Sequence, residues 1–212
     1  MTYYVGDIPA EDLVIEPARN GEPIELAPFL SIDTLVELRT FDGDLVPADF
    51  LVSFETGGVD DIDRVVLEWP AESVFAASGL HTLSVTLIGD LGEPRERLAP
   101  VYIVVQDDNG WHTLDSARIE WPDAQSISDI RLFQMLELAR QQVVAYAPAL
   151  AEGVRPPYNY REGQLMQARN ILNAGRAETG DDGTDTFMLR PFPLDWMVKQ
   201  VLRPKSVSPA VG

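Results

Sequence analysis

The period of the apolar residues changes once along this chain, and that change restricts the architecture more than any other feature. Up to about residue 105, apolar and polar residues alternate in short runs. The clearest are Thr34-Leu35-Val36-Glu37-Leu38-Arg39, Phe50-Leu51-Val52-Ser53-Phe54, Val65-Val66-Leu67-Glu68-Trp69, Leu80 to Ile88 and Val101-Tyr102-Ile103-Val104-Val105. From residue 126 onward apolar residues recur instead at steps of three and four. Alternation suits strands with one buried face, and steps of three and four suit amphipathic helices. Turn signals such as Asn20-Gly21 and Asp42-Gly43 separate the early runs, so the first half reads as an antiparallel β-sandwich of immunoglobulin size. The expected fold class is α+β multidomain: a β-sandwich, then a small helical domain ending in an extended C-terminal tail. The expected boundaries are 1–108 for the sandwich, 109–125 for a polar linker that holds Asn109-Gly110, and 126–212 for the helical domain. At 212 residues there is room for two such domains, each of about 100.

Charge divides at the same place. The chain carries −18 overall. Residues 1–110 hold 22 Asp+Glu against 5 Lys+Arg, a balance of −17, and residues 111–212 hold 12 against 11, a balance of −1. An acidic first half repels nucleic acid and favours solubility. No apolar run reaches the ~20 residues a membrane helix needs, and the N-terminus has no basic segment leading into a hydrophobic one. The expectation is therefore no membrane and no secretion signal. There is no cysteine, which excludes disulfides, thiolate catalysis and cysteine zinc sites.

The chain offers no catalytic set. Gly-rich phosphate loops and the Gly-x-Ser-x-Gly elbow are missing, and His81 and His112 have no second histidine at metal-ligand spacing. Two acidic clusters, Asp60-Asp61-Ile62-Asp63 and Asp181-Asp182-Gly183-Thr184-Asp185, have the oxygen atoms calcium takes but not the spacing of a twelve-residue calcium loop. Both read as solvated loops, so no metal and no cofactor is expected. Trp121 and Trp196 stand beside prolines at the edges of elements, as core plugs or as interface anchors.

The strongest helix runs from Ser126, with Asp129 at capping-box spacing, to Tyr146, bracketed by Pro122 and Pro148. Ile127, Ile130, Phe133, Leu136, Ala139, Val143 and Tyr146 make one stripe, and Leu132, Met135 and Leu138 widen it. A face this wide needs cover on more than one side. Leu132, Met135, Leu138 and Arg140 are thus the expected subunit-to-subunit surface. A second helix is expected from Asn159 to Ala177, with Leu165, Ala168, Ile171, Leu172 and Gly175 inward, and a short one from Leu194 to Leu202. Pro191, Pro193, Pro204 and Pro209 keep the C-terminus from forming one long helix. It should leave its domain as a broken segment carrying Phe192, Trp196, Met197 and Val201 as anchors and Arg190, Lys199, Arg203 and Lys205 as cations.

The string Trp121-Pro122-Asp123-Ala124, the helix ending in Ala145-Tyr146-Ala147-Pro148 and the Gln/Ala-rich stretch Gln164 to Asn170 resemble the head-to-tail connector, or adaptor, proteins of long-tailed bacteriophages. The resemblance runs from about Trp121 to the C-terminus. The run Trp69-Pro70, Phe75 and Gly79 to Val85 is similar to the Ig-like N-terminal domains of some phage connector and baseplate proteins. The resemblance implies a virion structural protein without catalysis that is made in the host cytoplasm. It implies a homo-oligomeric ring of twelve under the portal protein, a tail-side connector or stopper as the next partner, and DNA passing through the lumen without sequence-specific binding. The C-terminal segment would dock on the portal. A rival reading is a trimeric carbohydrate- or surface-binding virion module, and a second is a hydrolase with its site scattered over loops.

Overall fold

In a computed structural model the chain divides into two compact units, Met1–Asp107 and Asp108–Gly212. The structure describes residues 1–57, 62–92, 94–151, 153–178 and 193–203. Among them the protein is α+β, with mixed sheets in the first unit and four α-helices in the second. No helix of the described residues is long and apolar enough to cross a membrane.

The first unit runs β1 Thr2–Tyr4, β2 Leu13–Ile15, β3 Ala18–Arg19, β4 Glu22–Pro23, β5 Phe29–Thr40, β6 Leu45–Val46, β7 Leu51–Glu55, β8 Arg64–Glu68, β9 Gly79–Gly89, β10 Arg95–Arg97 and β11 Val101–Gln106. One sheet has the order β1-β11-β9-β5-β6, with β10 also on β9, and a second has the order β2-β8-β7. Strands β3 and β4 form a separate hairpin, turned by Asn20 and Gly21 with φ of 55° and 87°. Positive φ at both central residues is the turn whose twist matches paired strands.

Directly paired residues share a face, so register shows what each sheet buries. In the larger sheet Leu38, Leu83 and Val101 form one row, and Val36 pairs with Val85. In the smaller one Leu13, Leu67 and Val52 form a row, and Ile15, Val65 and Phe54 another. These rows belong to a single hydrophobic core, which also takes in Leu26, Phe29, Leu87, Leu98, Ile103 and Val105. An aromatic group continues it: Phe75 stacks on Tyr3 at 5.1 Å and tilts against Trp69 at 5.7 Å, and Phe50 meets Trp69 edge-on at 5.3 Å. The expectation of a purely antiparallel unit needs one correction, because β1 runs parallel to β11. Parallel neighbours need a long connection, and almost the whole unit lies between these two strands.

The second unit begins at Asp108 and takes in the whole of the expected linker. Residues 109–125 are not an unstructured spacer: α1 spans Leu114–Glu120 and a 3-10 turn spans Pro122–Ser126. Leu114, Ala117, Trp121 and Ala124 are all buried, and this burial holds the segment in place. Gly110 is a true turn, with φ of 90°, and a Cβ there would lie 3.1 Å from the Pro156 ring. Next come α2 Asp129–Tyr146, α3 Tyr158–Glu178 and α4 Trp196–Leu202.

The expected Ser126/Asp129 capping box does not form. The Ser126 hydroxyl donates to the Asp123 carbonyl within the 3-10 turn, and Asp129 accepts from Arg118 at 2.6 Å. Ser128 is the N-cap of α2, without a side-chain cap bond, and the capping box belongs to α1, between Thr113 and Ser116.

Candidate assembly surface of the helical unit

Helix α2 buries Leu132, Met135, Leu136, Ala139 and Val143. These positions step by three and four and form one stripe, with Ile130, Phe133 and Leu138 half-buried on its flanks. The expected subunit surface is therefore corrected in two of its four members. Leu132 and Met135 are 0% exposed, so they are core and have no area to offer a second copy. Leu138 and Arg140 are half-buried, and the Arg140 guanidinium pairs with both oxygens of Glu137, at 2.7 and 2.9 Å. The two outer residues of the set remain available at the surface.

Helix α3 answers with Leu165, Ala168, Ile171 and Leu172, buried as their spacing predicts, whereas Gly175, also expected inward, is half-buried. It also buries two glutamines, Gln164 and Gln167, which no apolar pattern predicts. Gln164 Nε2 donates to the Leu136 carbonyl at 3.0 Å, and its Oε1 accepts the His112 backbone N–H at 3.0 Å. Gln167 Nε2 donates to Gln142 Oε1 at 2.6 Å. The amides tie α2, α3 and the entry to α1 together, and each buried polar atom so used has a partner.

The His112 ring lies within the same network. Its Nδ1 is 3.1 Å from Ser116 Oγ, and its Nε2 is 3.9 Å from Glu120 Oε2. Glu120 also faces Arg161, and its carbonyl accepts from Arg169, whose guanidinium lies 5.7 Å over the Trp121 ring. Trp121 is thus a core plug. Burial pushes the His112 imidazole below its usual range; Glu120 opposes that shift, and Arg161 and Arg169 add to it. His81, in the first unit, is lowered by burial too, against a hydrogen bond to the Gly79 carbonyl.

A lowered folded pKa means that the unfolded chain binds more protons once pH falls below about 6.5. Each histidine therefore contributes stability above that pH, and the contribution is lost as pH drops toward the folded pKa. Thermal melts at pH 7.5 and 5.5 should show wild type losing more stability on acidification than His112→Gln, which keeps a polar group beside Ser116. Equal losses in the two chains would remove His112 from the account.

The C-terminal part of the unit departs from the expected tail. Lys199 and Arg203 do not extend away from their own domain: they lie 5.9 and 4.8 Å over the Tyr146 ring. Val198 and Leu202 are buried among Val143, Ala147 and Tyr160, with Trp111, Tyr146, Met166 and Leu194 around them. Val201 is half-buried, and its carbonyl accepts from Asn159 Nδ2 at 3.2 Å. A two-residue apolar stripe on α4 was enough to bring the segment home. Trp196 and Met197, on the first turn, face out at 65% and 58% exposure. Trp196 borders an open groove of about 550 Å³, lined also by Asn170, Asn173, Ala174, Pro193, Leu194 and Asp195. Arg190, Phe192 and Lys205 lie outside the described residues.

No protein-family model and no curated protein matches the chain. Among the described residues no three acidic or histidine side chains are placed to hold a metal ion. The Asp181 to Asp185 cluster and Asp60 and Asp61 fall outside the described residues. Asp63 has a structural task, accepting the Leu26 N–H at 2.6 Å and the Gly57 N–H at 3.1 Å. What this unit presents chemically is a surface: an exposed aromatic and a thioether beside a groove edged with amides, and two cations held over a tyrosine.

Proposed function

We propose that the chain is a virion structural protein, a head-to-tail connector that forms a ring on the portal vertex and links the head to the tail. The helical unit is the ring-forming part, and twelve copies is the number the resemblance implies. DNA passes through the lumen without sequence-specific contact, and a tail-side connector or stopper binds the far side. No catalysis is assigned.

The observation that carries this reading is the outward pair Trp196 and Met197. Exposed Trp is a costly surface residue and a preferred interface anchor, and here it begins a helix whose buried apolar residues, Val198 and Leu202, are already used. We assign the pair to portal docking, with Lys199 and Arg203 assisting encounter with an acidic rim.

The first unit reads best as Ig-like. Its order β2-β8-β7 corresponds to strands B-E-D of that fold, and β11-β9-β5-β6 corresponds to G-F-C-C′. It lacks the inter-sheet disulfide, and its buried Trp69 follows the E-equivalent strand rather than lying on C. A peripheral position on the ring, facing capsid or solvent, suits its acidity.

The test is a Trp196→Ala/Met197→Ala chain co-sedimented with portal rings of the same phage. Both side chains are exposed, so circular dichroism should match wild type. Losing two anchors at about 1–2 kcal/mol each should weaken capture by roughly 30-fold or more. Capture at wild-type strength would overturn the assignment of this surface to the portal.

A further inference from the structure

Two of the five asparagines precede glycine, Asn20-Gly21 and Asn109-Gly110. With no Cβ on the following residue, its backbone nitrogen is open to bond with the asparagine side chain. The fold treats the two steps differently. Asn20 turns the β3–β4 hairpin, where the Ala18–Pro23 and Arg19–Glu22 pairs hold the backbone at positive φ. Among the described residues no hydrogen bond reaches its exposed side chain.

Asn109 lies in a turn closed by its own side chain. Its Oδ1 accepts the Trp111 N–H at 3.2 Å, a bond to the backbone two residues on that makes a turn in its own right. The ring so closed contains both Asn109 Cγ and the Gly110 nitrogen, which keeps the electrophilic carbon beside the nitrogen it would react with. The donor is held from behind, because the His112 N–H bonds to buried Gln164 and the Trp111 ring lies 6.5 Å from Tyr160. A Cβ on Gly110 would meet Pro156 at 3.1 Å and Arg155 at 3.3 Å, so the packing that demands glycine also leaves its nitrogen unshielded. Among the described residues that N–H donates to no backbone carbonyl. Asn109 and Gly110 are half-buried, which leaves water access to the turn.

We propose that Asn109 is a site of spontaneous covalent modification, converted to aspartate and isoaspartate through a cyclic imide that its turn promotes. The Gly110 nitrogen gives up its proton to solvent and bonds to Asn109 Cγ. Negative charge gathers on Oδ1, where the Trp111 N–H already points, and a donor aimed at developing charge lowers the barrier. The Cγ–Nδ2 bond then breaks, and the nitrogen takes up a proton and leaves as ammonia. Water adds to either carbonyl of the imide and opens it. Opening at Cγ gives aspartate. Opening at the former backbone carbonyl gives isoaspartate, whose chain runs through Cγ and is one backbone atom longer. The net exchange is one water for one ammonia, with no oxidation. The product sets a third carboxylate beside Asp107 and Asp108, and in the isoaspartyl form the turn leading into α1 is lost. This chemistry is independent of ring formation.

The full-length chain is aged at mildly alkaline pH, folded and in urea, and both Asn-Gly peptides are mapped with time by mass spectrometry for the gain that turns amide into acid. In urea the two steps react on local sequence alone. Folding should raise the ratio of the Asn109 rate to the Asn20 rate by roughly tenfold, less than the roughly hundredfold or more that one aligned donor contributes in a dry active site. A ratio in the folded chain equal to or below the urea value overturns the proposal. Asn109→Gln gives a second reading, because its longer side chain does not close the five-membered imide, and the gain in that peptide should vanish. A gain that persists there belongs to another residue, such as Gln106, and overturns the assignment to Asn109.

Discussion

Met135→Asp is expected to unfold the helical unit at room temperature, with loss of most of the helical circular dichroism. Met135 is 0% exposed, in a stripe with Leu132, Leu136, Ala139 and Val143. An uncompensated buried carboxylate costs several kcal/mol, and the lost packing adds about 2–5 kcal/mol. Together these match the ~5–15 kcal/mol that a domain has in all. Leu138→Asp on the same helix is the contrast. Its side chain is half-buried on the flank, so the helical signal should stay near native while ring formation is lost. A folded Met135→Asp chain would put that residue at the surface, and an unfolded Leu138→Asp chain would make Leu138 core.

The two residues illustrate what periodicity can and cannot resolve. Three- and four-residue steps located α2 to within a few residues of Asp129–Tyr146, and α3 likewise. They did not say which part of a wide apolar face points inward, because rotating the stripe by one position leaves the pattern almost unchanged. The inward line proved to run through Leu132 and Met135, two of the four residues assigned from sequence to the subunit surface. The strands were legible where alternation was clean, as in Val65 to Glu68 and Leu80 to Ile88. The start of β5 was not. The sequence Phe29-Leu30-Ser31-Ile32-Asp33 breaks alternation, and the pairing register shifts between Leu30 and Leu35, leaving Ile32 at 89% exposure.

Helix α1 was hidden for a different reason. It has seven residues, of which only Leu114 and Ala117 are buried, too few to give a period. Its Thr113 and Ser116 carry a capping signal that a search for Glu or Gln at the third position passes over. The short helix near residues 194–202 is legible from its prolines, but its destination is not: Val198 and Leu202, four apart, supply the single inward face that docks it on its own unit. Buried glutamines had no signal at all: Gln164 meets His112 across 52 positions, and local sequence does not register a pairing so distant.

That glutamine gives the second large effect. Gln164→Leu is expected to destabilise the helical unit by about 1–2 kcal/mol, read as a lower urea midpoint of the helical signal. The side chain is 2% exposed and makes two bonds, one to each of two elements. The two losses differ. The Leu136 carbonyl sits inside α2 and keeps its ladder bond, so it forfeits only a second partner. The buried His112 N–H loses its acceptor, and an unpaired buried donor costs about 1–3 kcal/mol, partly offset by the apolar gain of leucine.

Gln164→Glu separates these terms. A carboxyl oxygen can still accept from His112, but it faces the Leu136 carbonyl, so burial and that carbonyl hold the proton on the acid, whose O–H then donates where the amide did. Its folded pKa is raised. The variant should therefore be near wild type below the usual glutamate pKa of about 4.3 and lose ground as pH rises through the folded pKa. That slope is opposite to the one His112 imposes on the wild-type chain, and urea titrations of the two proteins across pH 4 to 8 should diverge. Parallel curves, or a Gln164→Leu midpoint equal to wild type, would mean that water rather than Gln164 satisfies the His112 N–H.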